Sequence, residues 1–194
     1  MTVAAFKLGR TPVTVGEFEK CVEAGKCTSD HYNTFSHSRR ACNYGNENRK
    51  IHPMNCVDWD GAGEYCKWAG GRLPTEEEWE YAATHNGTEH LNTSYPWGDD
   101  ASVSCEKANY NECYGGTSPV GVYSPAGDSP LGLIDMMGNV WEWTDTLYPS
   151  DSSIKPYVIK GGSWGNSASK INVTFSDRHY PSNWDSNLGF RCAK

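Results

Sequence analysis

Apolar residues recur at helical spacing in three short stretches of this chain, and the pattern then stops. Thr14-Val15-Gly16-Glu17 places a threonine three residues ahead of a glutamate, so each side chain can satisfy the other's exposed backbone N–H. That pattern predicts a helix start. Phe18, Cys21 and Val22 supply its apolar stripe, and Gly25 ends it. A second helix is expected over Asp58 to Ala69, burying Trp59, Ala62, Cys66 and Ala69, with Gly70-Gly71 as the stop. A third begins at Thr75, where Thr75 and Glu78 repeat the reciprocal cap behind Pro74, and Trp79, Ala82 and Ala83 follow. Phe6 to Val15 reads as a short extended segment broken by Gly9 and Pro12, and residues 28–55 as an irregular loop carrying Cys42.

From about residue 87 onward, Gly, Pro, Asn and Ser punctuate brief aromatic runs. Val120 to Tyr123, Val140 to Trp143 and Tyr157 to Ile159 are expected as short strands between long ordered loops. The expected class is α+β with little regular secondary structure, and the 194 residues are expected to form a single domain over 1–194.

Composition narrows the class. Hydrophobic residues are 37% and aromatics 12% of the chain, enough for a core. No apolar run approaches the ~18–20 residues of a membrane span, and no apolar signal region stands at the N-terminus. Net charge is −7 and the basic residues are scattered, Arg39-Arg40 being an adjacent pair. Nucleic-acid binding needs a basic face, so no nucleic-acid partner is expected. The eight cysteines contain no CxxC spacing, which disfavours zinc. An even cysteine count in a Gly-, Ser- and Asn-rich chain favours disulfides and an extracytoplasmic, secreted or cell-surface location.

Candidate chemistry is concentrated in the second half. Asp135 and Glu142 bracket a Gly-Asn turn, and two carboxylates with turn carbonyls form an oxygen-only cage suited to calcium. The six histidines (His31, His37, His52, His85, His90 and His179) include no HxH or HxxxH pair, and no nucleophile triad or phosphate-binding glycine loop is visible. Trp79, Trp97, Trp141 and Trp143 are expected in core packing, and Arg72 and Arg191 as buried hydrogen-bond hubs. Sequons at Asn86, Asn92 and Asn172 carry no functional weight without knowledge of the host.

Four segments in order, AGGRLPTEEEWEYAA (69–83), YPWG (95–98), GLIDMMGNVWEWT (132–144) and GGSW with NLGFRC (161–164, 187–192), resemble the formylglycine-generating-enzyme, or sulfatase-modifying-factor, family. The resemblance covers nearly the whole chain and implies that family's elaborated C-type-lectin-like fold. It implies calcium held by the side chains of Asp135 and Glu142 and the carbonyls of Gly138 and Val140. A second calcium site would use Asn109, the carbonyl of Tyr110, Glu112 and the carbonyl of Tyr114, in a loop shorter than in the family's enzymes and with Glu where they carry Asp. It also implies a bridge between Cys66 and Cys192. The other six cysteines have fifteen possible pairings, of which short range favours Cys21–Cys27, Cys42–Cys56 and Cys105–Cys113.

The family's enzymes convert a sulfatase cysteine to formylglycine with two copper-binding cysteines after the GGS segment. Asn166 and Ile171 stand at those positions, and no cysteine lies between Cys113 and Cys192, so neither copper nor formylglycine synthesis is expected. Iron-dependent sulfoxide-forming relatives and inactive regulatory paralogues are the alternatives.

Residues 165–187 suggest recognition instead. Asn, Ser, Thr and Asp make up twelve of these twenty-three positions, interrupted by aromatics that supply contact area at low entropy cost. The expected ligand-binding residues are Trp164, Asn166, Ser167, Ser169, Asn172, Thr174, Phe175, Asp177, His179, Tyr180, Asn183, Trp184 and Asp185, facing a protein or glycan partner. The segment is also similar to the variable region of diversity-generating-retroelement proteins, in which Asn-type codons are randomised; only Lys170 and Trp184 here lie outside what adenine changes in such codons encode.

Overall fold

A computed structural model describes residues 3–36, 42–99 and 102–194; His37 and the Arg39-Arg40 pair lie outside the described residues. Three helices precede a small sheet. Helix α1 spans Val15–Glu23, α2 Trp59–Trp68 and α3 Glu76–Thr84. Both reciprocal caps form: Thr14 with Glu17 and Thr75 with Glu78 exchange side-chain and backbone hydrogen bonds, which satisfies donors a helix start otherwise leaves open. Asp58 caps α2 by accepting from the Gly61 N–H at 2.8 Å. Ala62 and Cys66 are buried as expected, together with Gly61 and Tyr65, while Trp59 and Ala69 are only partly buried against the same cluster. Trp59 instead stacks on Tyr157 at 4.2 Å between ring centres and donates its indole N–H to the Thr144 carbonyl.

The sheet has strands β1 (Trp141–Leu147), β2 (Tyr157–Lys160), β3 (Ser176–His179) and β4 (Leu188–Gly189), in the order β3-β2-β1-β4. The first two pairings are antiparallel and β4 lies parallel to β1, with Trp141 opposite Leu188. The strand expected over Val120 to Tyr123 is not one. Those residues form successive turns, because Gly121 takes φ +82° and gives its N–H to the Asp135 carboxylate instead of a strand partner. The N-terminal extended segment runs antiparallel to the C-terminus, with Gly9 N–H donating to the Cys192 carbonyl and Val13 N–H to that of Phe190.

Two apolar clusters form the core. One joins Phe18, Tyr65, Trp143 and Phe190; the other joins Trp79, Met136, Met137, Ile171 and Val173. Between them lies a fully buried polar hub. Arg191 donates Nε to Glu142 Oε2 at 2.7 Å and Nη2 to Oε1 at 2.9 Å, and Trp79 Nε1 donates to Oε2 at 2.7 Å. The remaining Arg191 donors reach the carbonyls of Gly9, Arg10, Ile134 and Asp135. A planar five-donor guanidinium thus ties the N-terminal segment, the 134–135 turn and β1 to the last strand region. Arg72 differs from the expected buried hub: its side chain is 47% exposed and clamps the buried Glu78 carboxylate from outside. Trp97 is half-buried and stacked on Tyr95, while Trp79, Trp141 and Trp143 are buried.

The cysteines form four bridges, Cys21–Cys27, Cys42–Cys56, Cys66–Cys192 and Cys105–Cys113, which leaves no free thiol. Four disulfides are consistent with a chain that folds where thiols oxidise. Among the described residues, no helix is long and apolar enough to cross a membrane.

Candidate functional site

The C-terminal segment is built by alternating anchor and display. After β2, Gly161 and Gly162 turn the chain at positive φ, and a Cβ on Gly162 would collide with Ile171 Cδ1 at 2.5 Å, so the turn seats against the core only as glycine. Ser163 and Trp164 are then buried. Asn166 Oδ1 accepts from the Ser163 N–H at 2.9 Å and Oγ at 2.7 Å, so this side chain locks the turn rather than facing a ligand. Ile171 and Val173 descend into the second core cluster, leaving Ser167 and Ser169 exposed before them and Thr174 exposed after them. Asn172 Oδ1 holds Thr174 through N–H at 2.9 Å and Oγ1 at 2.8 Å. Phe175 packs on the first cluster against Trp141.

Strand β3 brings the next candidates together. A recess of about 380 Å³ at this sheet edge is lined by Pro156, Asp177, Arg178, His179, Tyr180 and Asn183. Four of the expected ligand-binding residues converge there: Asp177, His179, Tyr180 and Asn183. Trp184 and Asp185 are half-buried, and the Asp185 carbonyl accepts from the Cys56 N–H. Trp164 lies in the wall of a different recess. Arg178 and Pro156 were not expected at the site. Arg178 sits over the Tyr148 ring at 4.7 Å, and Pro156 arrives through the pairing of β2 with β3, which sets Tyr157 opposite His179. No local pattern marks either residue.

Charge in the recess is organised. Burial pushes the Asp177 carboxyl up, but Lys170 at 2.9 Å and the Arg178 N–H outweigh it and hold Asp177 below the usual carboxylate range. Lys170 also lies over the Phe175 ring. His179 presents its imidazole edge-on to Trp143. Tyr180 is 45% exposed, a large amphipathic side chain at the mouth.

The oxygen-rich turns offer donors suited to a hard cation. Asp135 is buried at φ +52° with one carboxylate oxygen accepting from Gly121, and burial raises its carboxyl to about 6. Glu142 already has a counter-ion in Arg191, and its Oε2 accepts two hydrogen bonds; Oε1 accepts one and keeps a lone pair. Gly138 packs its α-carbon onto the Asn109 backbone, and Asn139 donates its N–H to the Asn109 carbonyl, so the two expected calcium loops touch. Asn109 gives its amide N–H to the Gly116 carbonyl, while its buried Oδ1 has no protein partner, the kind of orphaned acceptor a calcium ion satisfies. The Tyr110 carbonyl accepts from Cys113, and Glu112 is exposed.

Among the described residues the histidine side chains make separate contacts, although His85 and His90 pair through their backbones. His31 pairs with Asp58 at 3.1 Å, His52 with Thr117 at 3.1 Å and His90 with Thr84 at 3.0 Å. Among the described residues no group of three His, Cys, Asp or Glu side chains is arranged to hold a metal.

Across its whole length, residues 1–194, the chain matches the model for the sulfatase-modifying factor enzyme 1-like domain. The chain belongs to this family. Mouse (Mus musculus) inactive C-alpha-formylglycine-generating enzyme 2 is 38% identical over 158 residues, covering 73% of this chain and 48% of that protein. The mouse formylglycine-generating enzyme is 34% identical over 172 residues, covering 75% and 45%. This sulfatase-modifying-factor domain therefore spans about half the length of these relatives. The solved structure of Treponema denticola variable protein 1 superposes with a TM-score of 0.71 at 21% identity, covering 99% of this chain and 85% of that one. The fold is the formylglycine-generating-enzyme type of C-type-lectin-like fold, few in helices and largely loops.

Proposed function

We propose that this sulfatase-modifying-factor domain is a non-catalytic binding module that presents residues 164–187 to a protein or glycan partner outside the cytoplasm. The observation that carries this reading is the 380 Å³ recess on edge strand β3, where Asp177, Arg178, His179, Tyr180 and Asn183 offer charge, hydrogen bonds and an exposed aromatic within one concavity. Tyr and Arg dominate protein-binding hot spots because they bury large area and carry directional donors. Exposed Leu147 and Ile154 precede Pro156 in the chain, and Leu147 pairs with Tyr157 across β1 and β2, so both would extend the contact area. The T. denticola variable protein shares the fold, which supports a scaffold able to carry a changeable surface. Ser167, Ser169, Thr174 and Tyr180 are exposed, so substitution there leaves the core intact, as codon diversification would require.

The catalytic alternative is weakened by residue chemistry. A copper(I) site needs thiolates. Here one of the two expected thiolate positions is Asn166, spent on Ser163, the other is buried Ile171, and all eight cysteines are bridged. We assign calcium to Asp135, Glu142 and the carbonyls of Gly138 and Val140, with a second ion at Asn109, Tyr110 and Glu112. Bound there, calcium would lend the buried Asp135 carboxylate a counter-charge and brace the loops beneath the recognition segment.

Metal content and binding test this together. Purified, non-reduced protein is expected to hold calcium at about one or two equivalents, without stoichiometric copper or iron. Partners selected on the wild type should lose at least roughly tenfold in affinity to a Tyr180→Ala, Arg178→Ala double variant. Stoichiometric copper or iron with turnover of a cysteine peptide, or partners indifferent to the double variant, would overturn the reading.

A further inference from the structure

A second recess lies apart from the β3 edge and shares no lining residue with it. Its walls are Arg49, Asn55, Gly115, Gly116, Thr117, Trp164 and Ser186, and it encloses about 140 Å³. We propose that this recess is a carboxylate-binding site, sized for an acidic side chain or a small organic acid and organised by the guanidinium of Arg49.

The guanidinium is held but not neutralised. Arg49 Nη1 donates to Asn43 Oδ1 at 2.8 Å and to Thr117 Oγ1 at 3.2 Å, which fixes the group in place. Among the described residues its Nε and Nη2 have no hydrogen-bond partner and no Asp or Glu lines the recess. The Nε–Nη2 edge of a guanidinium matches the two oxygens of a carboxylate, and this is the edge left unspent. The surrounding polar groups are pinned: Asn55 accepts from the Asn43 N–H at 2.7 Å and donates to the Ser186 carbonyl at 2.6 Å. Trp164 donates its indole N–H to the same carbonyl, so its ring stands as a fixed wall.

The opposite wall is open backbone. Gly115 and Gly116 have φ of +74° and +154°, and a Cβ built on either meets nothing within 4 Å. The N–H groups of Gly116 and Thr117 donate to no described group, so a ligand oxygen entering beside these glycines would find donors uncommitted. Burial first, and then Arg49, hold His52 below its ordinary value, and among the described residues lining the recess the positive charge is that of Arg49. One guanidinium edge and about 140 Å³ suit a planar monoanion better than a phosphate dianion, which needs more donors on more sides.

The test is an amide-detected NMR titration of the intact, oxidised protein at fixed calcium and ionic strength. The probes are acetate, succinate, N-acetylglutamate amide as a stand-in for a peptide side chain, and inorganic phosphate. Carboxylates should shift the Gly115, Gly116 and Thr117 amides and the Trp164 indole N–H saturably, and phosphate should not. Arg49→Gln should weaken this roughly tenfold or more, and Arg49→Lys, which keeps the charge without the fork, by less. Tighter binding of N-acetylglutamate amide than of succinate points to a peptide side chain as the natural source, and the reverse to a free acid. Should Arg49→Gln unfold, the wild type still reports: a bound carboxylate offsets Arg49, so the His52 titration midpoint must rise on saturation. No saturable shift, phosphate binding as well as the carboxylates, unchanged binding by folded Arg49→Gln, or a His52 midpoint that stays put at saturation would overturn the proposal.

Discussion

The hub around Glu142 and the segment over 165–187 are both rich in polar atoms, yet they use them in opposite ways. In the hub, one carboxylate, one guanidinium and one indole N–H satisfy each other and four backbone carbonyls with no access to solvent. In the segment, side-chain hydrogen bonds such as Asn166 to Ser163 and Asn172 to Thr174 are local, backbone bonds tie it to Ser94, Cys56 and Trp59, and Ser167, Ser169 and Thr174 face outward. Long-range polar contacts hold the fold and anchor the segment's backbone, and short-range side-chain contacts shape the exposed stretches between those anchors. A surface built this way can change its side chains without moving the scaffold.

The sharpest test of that division is the longest covalent closure. Replacing Cys66 and Cys192 together by serine should cost about 4–5 kcal/mol in denaturant melts, since the bridge closes 126 residues of chain. Next comes Arg191→Leu, which strands a buried carboxylate. A loss of about 3–5 kcal/mol is expected, and a loss below 1 kcal/mol would mean the hub is not the tie between the two clusters. The Asp58→Ala change removes the α2 cap and should cost about 1 kcal/mol by the same measurement.

The His31–Asp58 contact should act only at lower pH. The hydrogen bond to Asp58 raises the His31 imidazole above its ordinary value despite some burial. Its contribution is then complete below the unfolded histidine value and is lost as pH rises through the higher folded one. The destabilisation by His31→Gln, on the order of 0.2–1 kcal/mol at pH 5.5, should fade by pH 8.5. Smallest of all, Ser169→Ala, Thr174→Ala and Tyr180→Ala should each stay within about 0.5 kcal/mol of wild type. A larger loss from any of these would erase the contrast between scaffold and display.

The expected helices have local causes, whereas the expected strands over Val140 to Trp143 and Tyr157 to Ile159 formed as β1 and β2 through pairing across the chain. Both reciprocal caps and the Asp58 cap lie within three residues of their partners, so α1, α2 and α3 were legible from spacing alone. The short-range disulfides were suggested by proximity in sequence, and the Cys66–Cys192 bridge by family resemblance. Strands β3 and β4 carried no signal, because Ser176–His179 is as polar as any loop and Leu188–Gly189 is two residues long. Conversely Val120 to Tyr123 carried a strand-like pattern and became turns once Asp135 claimed the Gly121 N–H.

At the sites the split is similar. The composition of 165–187 marked a displayed region, and Asp177, His179, Tyr180 and Asn183 meet there. That Asn166 would be consumed by a turn, that Arg178 and Pro156 would line the recess, and that Arg49 would face Thr117 and Trp164 depended on strand register and on loops closing across the chain. The sequence by itself determined the helices, the absence of paired thiolates after the GGS segment, and the polar character of the display loop. The tertiary structure alone decided which displayed residues share a concavity and where a guanidinium has no counter-ion among the described residues. Capping and turn energies act over three or four residues, whereas a pocket is set by backbone pairings between residues far apart in the chain.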